Sequence, residues 1–326
     1  MAKCNPPEES GWAFCPNLPA AALFTALYGF CFFLHLYLAI RTRKKFCWVI
    51  IVGSAWLSVG FGLRSKAAHR ISGIGDFIPQ SIIIFLGPLW LNAFVYMVLG
   101  RMVHMLLKRD RLYNISARRL TIIFVILDII AFFVQASSSG PMSSGNRDTA
   151  QTGVYIMMAG VAIQQSFISF FIVLAIRFHY KLVAGTRTPQ QHQADDHTTV
   201  KPVIHTVPWR RLLYALYLTL VLITIRNIFR LIEFSDGVEG HIAVHEAFFY
   251  SLDALPIFAG LLVLAVVHPS CVLQGPDNEF PPRVKKGEKE RKKRRRSRGK
   301  DGGYSETEEG PEARRAGANE APFSEV

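Results

Sequence analysis

Seven apolar blocks, each close to the length that crosses a bilayer, constrain this 326-residue chain more than any other feature. They lie at residues 18–40, 46–63, 80–107, 120–135, 154–176, 212–234 and 247–267. About 20 apolar residues carry an α-helix across the roughly 30 Å hydrocarbon layer. In lipid, every backbone polar group must find its partner within the protein, so only helices and closed barrels can span it. The blocks are continuous rather than alternating, which predicts an all-α membrane protein with a seven-transmembrane-helix bundle over residues 18–269. The second and fourth blocks are short. Residues 1–17 form a polar N-terminal segment. The tail, 270–326, is poor in apolar residues and rich in charge, Gly and Pro, and is expected to be disordered.

The net charge of +13 resembles that of a nucleic-acid binder, but residues 283–300 hold twelve Lys/Arg and two Glu, or +10 of the total. The expected partners are therefore membrane lipids, with anionic inner-leaflet headgroups meeting residues 283–300, and no nucleic acid. Lys and Arg also orient the bundle. Thirty fall on the side of the first, third and fifth loops and the tail, and seven on the other. Without the tail the ratio is sixteen to seven. The N-terminus is thus expected outside and the C-terminus in the cytosol. No basic start and short apolar core precede the first block, so that block is expected to serve as the targeting signal. Cys4 and Cys15 both fall outside, where they form either a disulfide or two free thiols.

Catalytic motifs are missing. There is no G-x-x-x-x-G-K-[ST], H-E-x-x-H, C-x-x-C or Rossmann glycine pattern. His241 and His245 share a helical face, as in a zinc-dependent lipid amidase, but a third histidine at that level is lacking and His268 lies at the far end of the last block. His192, Asp195, Asp196 and His197 sit in a polar loop without a closed ligand set. We expect no enzyme activity, no metal and no cofactor.

Charges inside apolar blocks are costly and normally face the bundle interior. Arg226, Arg230 and Glu233 are four and three residues apart on one helical face, and Glu246 and Asp253 are seven apart on the next helix. The short loop between them makes these helices antiparallel. The resulting register predicts two layers, Arg226 opposite Asp253, and Arg230 with Glu233 opposite Glu246. A structural charge zipper and a substrate-handling site both fit that arrangement. Asp128 and Gln135 share a face of the fourth block, and Gln164 lies in the fifth. Pro88 is expected to kink the third helix and Pro256 to loosen the seventh beside Asp253.

The spacings RxxFRxxEF from Arg226, HExFFYxxDALP from His245 and HP at His268 resemble the fungal RTA-like lipid-translocating exporters, a family that includes sphingoid long-chain base exporters and sterol-analogue resistance proteins. Tyr96, Gly100, Arg101, Asp128, Gln135, Gly160 and Gln164 extend the resemblance. Leu57 and Phe61 stand where the family has an acid and a tyrosine. The resemblance implies a translocator of amphipathic, sphingoid-base-like lipids in the plasma membrane or an endomembrane, linked to stress or toxicant resistance. It also implies that Arg226, Arg230, Glu233, Glu246, Asp253, Asp128, Gln135 and Gln164 bind or pass the substrate. The alternative is a seven-helix receptor or a regulator of lipid asymmetry.

Overall fold

The computed structural model describes residues 15–70, 74–108, 111–112, 115–142, 146–187, 200–235, 242 and 245–273. Among them are seven helices long and apolar enough to cross a membrane: Leu18–Thr42, Lys45–His69, Ile78–Leu106, Ala117–Met142, Arg147–Thr186, Trp209–Ser235 and Glu246–Cys271. Apart from two short strands, Arg111–Leu112 and Ile115–Ser116, paired between the third and fourth spans, the described structure is nearly all helical. Cys4, the 192–197 cluster, His241 and residues 283–300 lie outside the described residues.

Every span outruns the apolar block that predicts it. The second and fourth reach 25 and 26 residues, because polar ends such as Ser65–His69 continue the helix past the hydrocarbon boundary. The fifth is the extreme case, at 40 residues. At about 1.5 Å per residue it is about 60 Å long, twice the hydrocarbon thickness, and the predicted block is only its apolar middle. Local signals set other ends. Asn17 caps the first helix, its side chain accepting from the Ala20 amide at 3.1 Å. Arg43, at φ 51°, stops it in the left-handed conformation that closes many helices.

Sequence neighbours pack side by side, the seventh span returns to the first, and the third span also touches the fifth, sixth and seventh. The third span is therefore the central helix, and Leu91, Phe94, Val95, Tyr96, Val98, Leu99, Met102 and Val103 are all buried along it. The outward faces are apolar: Phe33, Ile40 and Phe133 are each about two-thirds exposed. In water such a belt would be an aggregation surface, whereas in lipid it is the solvated face. The protein is an integral, multi-pass membrane protein.

Small residues bring helices close. A Cβ on Gly87 would fall on the Leu57 side chain, and one on Gly160 would lie 2.6 Å from Cγ and 3.0 Å from the backbone nitrogen of Gln135. Cys15 is disulfide-bonded, and Cys31 and Cys47 are buried free thiols.

Candidate functional site

Asp253 is the centre of a buried ion cluster. Its Oδ1 accepts from Arg230 Nε at 2.9 Å and its Oδ2 from Arg230 Nη2 at 2.8 Å, a two-pronged pair. Arg226 Nε lies 2.8 Å from the same Oδ1, an ion contact without hydrogen-bond alignment. Arg230 Nη1 donates to Glu233 Oε2 at 2.8 Å, and Arg226 Nη1 donates to Asn227 Oδ1 at 3.3 Å. All four charged side chains are buried, and two positive charges offset two negative ones. The predicted Arg226–Asp253 pair is present, with Arg230 as a second, better aligned partner.

Glu246 departs from the predicted register. It does not face Arg230 and Glu233; its Oε1 accepts from Arg64 Nη2 of the second span at 2.7 Å. Its Oε2 accepts from the backbone nitrogen of Asn17, at the start of the first span, at 2.6 Å. Arg64 also donates from Nε to the Tyr250 hydroxyl at 3.2 Å and from Nη1 to Gln80 Oε1 at 3.5 Å. The cause is the π-helical segment Phe249–Ala254. Its wider i→i+5 turn takes more residues per revolution than an α-turn, so a spacing of seven no longer returns to one face. Pro256 follows at once and cannot donate to a carbonyl of the preceding turn, which favours that widening. Pro88, by contrast, lies inside an unbroken helix, Ile74–Leu106.

Phe249 separates the two layers. The Arg64 guanidinium lies 4.5 Å from its ring centre and the Arg230 guanidinium 5.5 Å, while Arg230 also covers Phe85 at 4.5 Å. Below the Arg230 layer, Tyr28, Leu57, Phe61, Ile84, Pro88 and Ile257 line a narrow gap of about 10 Å³, room for about one water molecule, whose polar wall is Arg226 with Asp253. Leu57 and Phe61 thus turn two apolar side chains toward the ion cluster.

The remaining predicted residues lie elsewhere. Gln135 Nε2 donates to Gln164 Oε1 at 2.9 Å, joining the fourth and fifth spans. Asp128 faces the third span, where its Oδ2 accepts from Asn92 Nδ2 at 2.9 Å and from the Tyr96 hydroxyl at 3.0 Å. Neither contact belongs to the ion cluster. A second polar chain runs outward from that cluster, with Asn227 Nδ2 donating to Gln165 Oε1 at 3.0 Å and Gln165 Nε2 to Thr224 Oγ1 at 3.3 Å. Gln80 and Tyr250 are site residues that the charge spacing within one helix pair did not select, whereas Arg64, open in sequence to an acidic group or a lipid phosphate, meets an acidic group. Arg64 was visible as a cation closing an apolar block, but its partner lies 182 positions away.

Sequence relatives place the chain in a family. The chain is 38% identical to the "Probable lipid transporter atnI" of Emericella nidulans over 298 residues, 87% of this chain and 76% of that one. It is 32% identical to "Protein RTA1" of Saccharomyces cerevisiae over 211 residues, covering 65% of this chain and 62% of the relative, a little under two-thirds of that protein. It is 22% identical to the "Sphingoid long-chain base transporter RSB1" of Saccharomyces cerevisiae over 287 residues, 82% of this chain and 75% of that one. No solved structure matches. The family profile described as "RTA1 like protein" matches residues 50–276, which hold every side chain of both ion layers, and the chain belongs to that family.

Proposed function

We propose that this protein moves single-chain amphipathic lipids across the membrane, and that the Arg226–Arg230–Glu233–Asp253 cluster handles their headgroup. The carrying observation is a charge-balanced ion cluster buried within the spans and bordering a narrow gap lined by Leu57, Phe61 and Ile257. A cationic amine competes there for Asp253 or Glu233, and a phosphate for Arg226 or Arg230. The relatives named as a lipid transporter and a sphingoid base transporter support an amine-bearing, sphingoid-like substrate. That gap of about 10 Å³ is far below the roughly 300–1,000 Å³ of pockets that enclose drug-sized ligands. In this reading the headgroup reaches the cluster only when the helices part, while the chain stays in the bilayer.

The remaining assignments belong to the same proposal. Residues 18–269 are the membrane domain, the N-terminus is outside, the C-terminus is cytosolic, and residues 283–300 hold anionic inner-leaflet lipid by charge. The plasma membrane is the site of action. We read the protein as a transporter and not an enzyme, as the names of its relatives suggest.

The test is movement of labelled sphingoid base in proteoliposomes that contain only this protein. We expect movement with the wild type and none with the double variant Arg226→Gln/Asp253→Asn, which keeps the Arg230–Glu233 pair and the charge balance. Equal movement by a folded double variant would remove the cluster from the mechanism. No movement by the folded wild type would favour a regulator of lipid distribution.

A further inference from the structure

Asp128 is 1% exposed and lies in the fourth span among groups that carry no charge. From the third span it meets Asn92 and Tyr96, both through Oδ2. The Tyr96 ring is wedged between Phe124 of the fourth span, at 5.4 Å, and Phe171 of the fifth, at 4.5 Å, and those two phenylalanines meet at 5.1 Å. The surroundings are therefore aromatic and closed to solvent, and among the described residues Tyr96 is the one titratable group bonded to the carboxyl. Charges on the elements packed against this site lie well along the helices. Arg101 is nine residues beyond Asn92, and its guanidinium sits 4.5 Å from the Phe46 ring centre. Arg118 and Arg119 precede Asp128 by ten and nine residues, about 14 Å along the axis, and Arg177 follows Phe171 by six, about 9 Å.

Two acceptors here have no hydrogen-bond partner among the described residues, Asp128 Oδ1 and Asn92 Oδ1, both fully buried. A buried carboxylate without a cation is among the most costly groups a membrane interior can hold, and it escapes that cost by taking up a proton. Asn92 Nδ2 already donates to Asp128 Oδ2. A proton on Oδ1 completes the second half of a cyclic acid–amide pair by donating to Asn92 Oδ1, and so satisfies both orphan acceptors at once.

We propose that Asp128 is a proton-binding site: it carries a proton on Oδ1 in the resting protein, donated to Asn92 Oδ1, and yields it to water when the third and fourth spans part during lipid movement. The balance is one carboxylic acid and one water giving one carboxylate and one hydronium, reversed as the spans close. The second half of the proposal rests on the transport reading; the first half does not.

Infrared difference spectroscopy on the full-length protein in liposomes tests the first half. A protonated-carboxyl band is expected at neutral pH, shifted in D₂O and missing from Asp128→Asn; a wild type without that band overturns the proposal. The pH profile of lipid movement tests the second half. Asn at 128 places a donor where the acid proton sits, so the variant folds as the resting state but cannot titrate. Wild-type movement is expected to change with pH and Asp128→Asn to have a flat profile; an unchanged profile in the variant overturns the coupling. The exchange Asn92→Asp/Asp128→Asn moves the acid across the same pair, and is expected to restore both band and pH dependence even if the single variant is poorly folded. If the wild type moves no lipid, the transport reading fails while the band alone decides the proton site.

Discussion

Glu246 and Arg64 hold the end of the seventh span to the second, with 2.7 Å between Oε1 and Nη2. The same guanidinium stacks on Phe249 and reaches Tyr250 and Gln80, so one side chain of the second span fixes the π-helical segment and the start of the third span. A planar fork that bonds and stacks together is not replaced by an ammonium. We expect Arg64→Lys and Glu246→Gln to keep the bundle folded while hydrogen exchange quickens across residues 246–254. Unchanged exchange there would mean that the latch adds no local stability.

Removing Asp253 alone leaves two buried guanidinium groups facing one glutamate. Breaking a buried pair on one side costs about 3–5 kcal/mol. Asp253→Asn is therefore expected to lose folded protein in the membrane, and Arg226→Gln/Asp253→Asn to recover most of it. The exchange Arg226→Asp/Asp253→Arg is expected to fail, because the new arginine meets Arg230, which already holds Asp253 in two prongs. Recovery by the exchange, read from folded level and thermal stability, would show that Arg230 is secondary.

Gln135 and Gln164 are a simple helix-to-helix hydrogen bond. Intramembrane bonds of this kind average about 0.6 kcal/mol in double-mutant cycles. Gln135→Leu alone strands the Gln164 amide, and adding Gln164→Leu should return part of the loss. A coupling near zero would indicate that the close approach at Gly160, rather than the bond, holds the fourth and fifth spans together. In that case Gly160→Ala, which forces a Cβ against the Gln135 backbone, should be the more damaging change.

The basic run 283–300 carries +10. A peptide of that sequence is expected to bind phosphatidylserine vesicles at about 1 kcal/mol per base near the surface, and to leave them in high salt. Binding indifferent to salt would contradict a purely electrostatic role. Tags at the two ends, probed by protease on intact cells, test the orientation. The expectation is a cleaved N-terminal tag and a protected C-terminal one.

Span number and the choice of interior charges were legible from sequence because both follow from the same local rule. Lipid demands about 20 apolar residues per helix, and any charge within such a run must turn inward. The seven blocks, the inward placement of Arg226, Arg230, Glu233, Asp253 and Asp128, and the Arg226–Asp253 contact all follow from composition and helical period. Span ends were not legible, since a helix persists into water wherever its backbone bonds continue, as in the 40-residue fifth span. Nor was the partner of Glu246. The helical period assumes that every turn is α, and the π segment breaks that assumption where the two layers meet. Which helices enclose the ion cluster, and which neutral groups surround Asp128, depends on side-by-side packing around the central third span. That packing is set by shape complementarity between side chains far apart in sequence, and only the tertiary structure decides it.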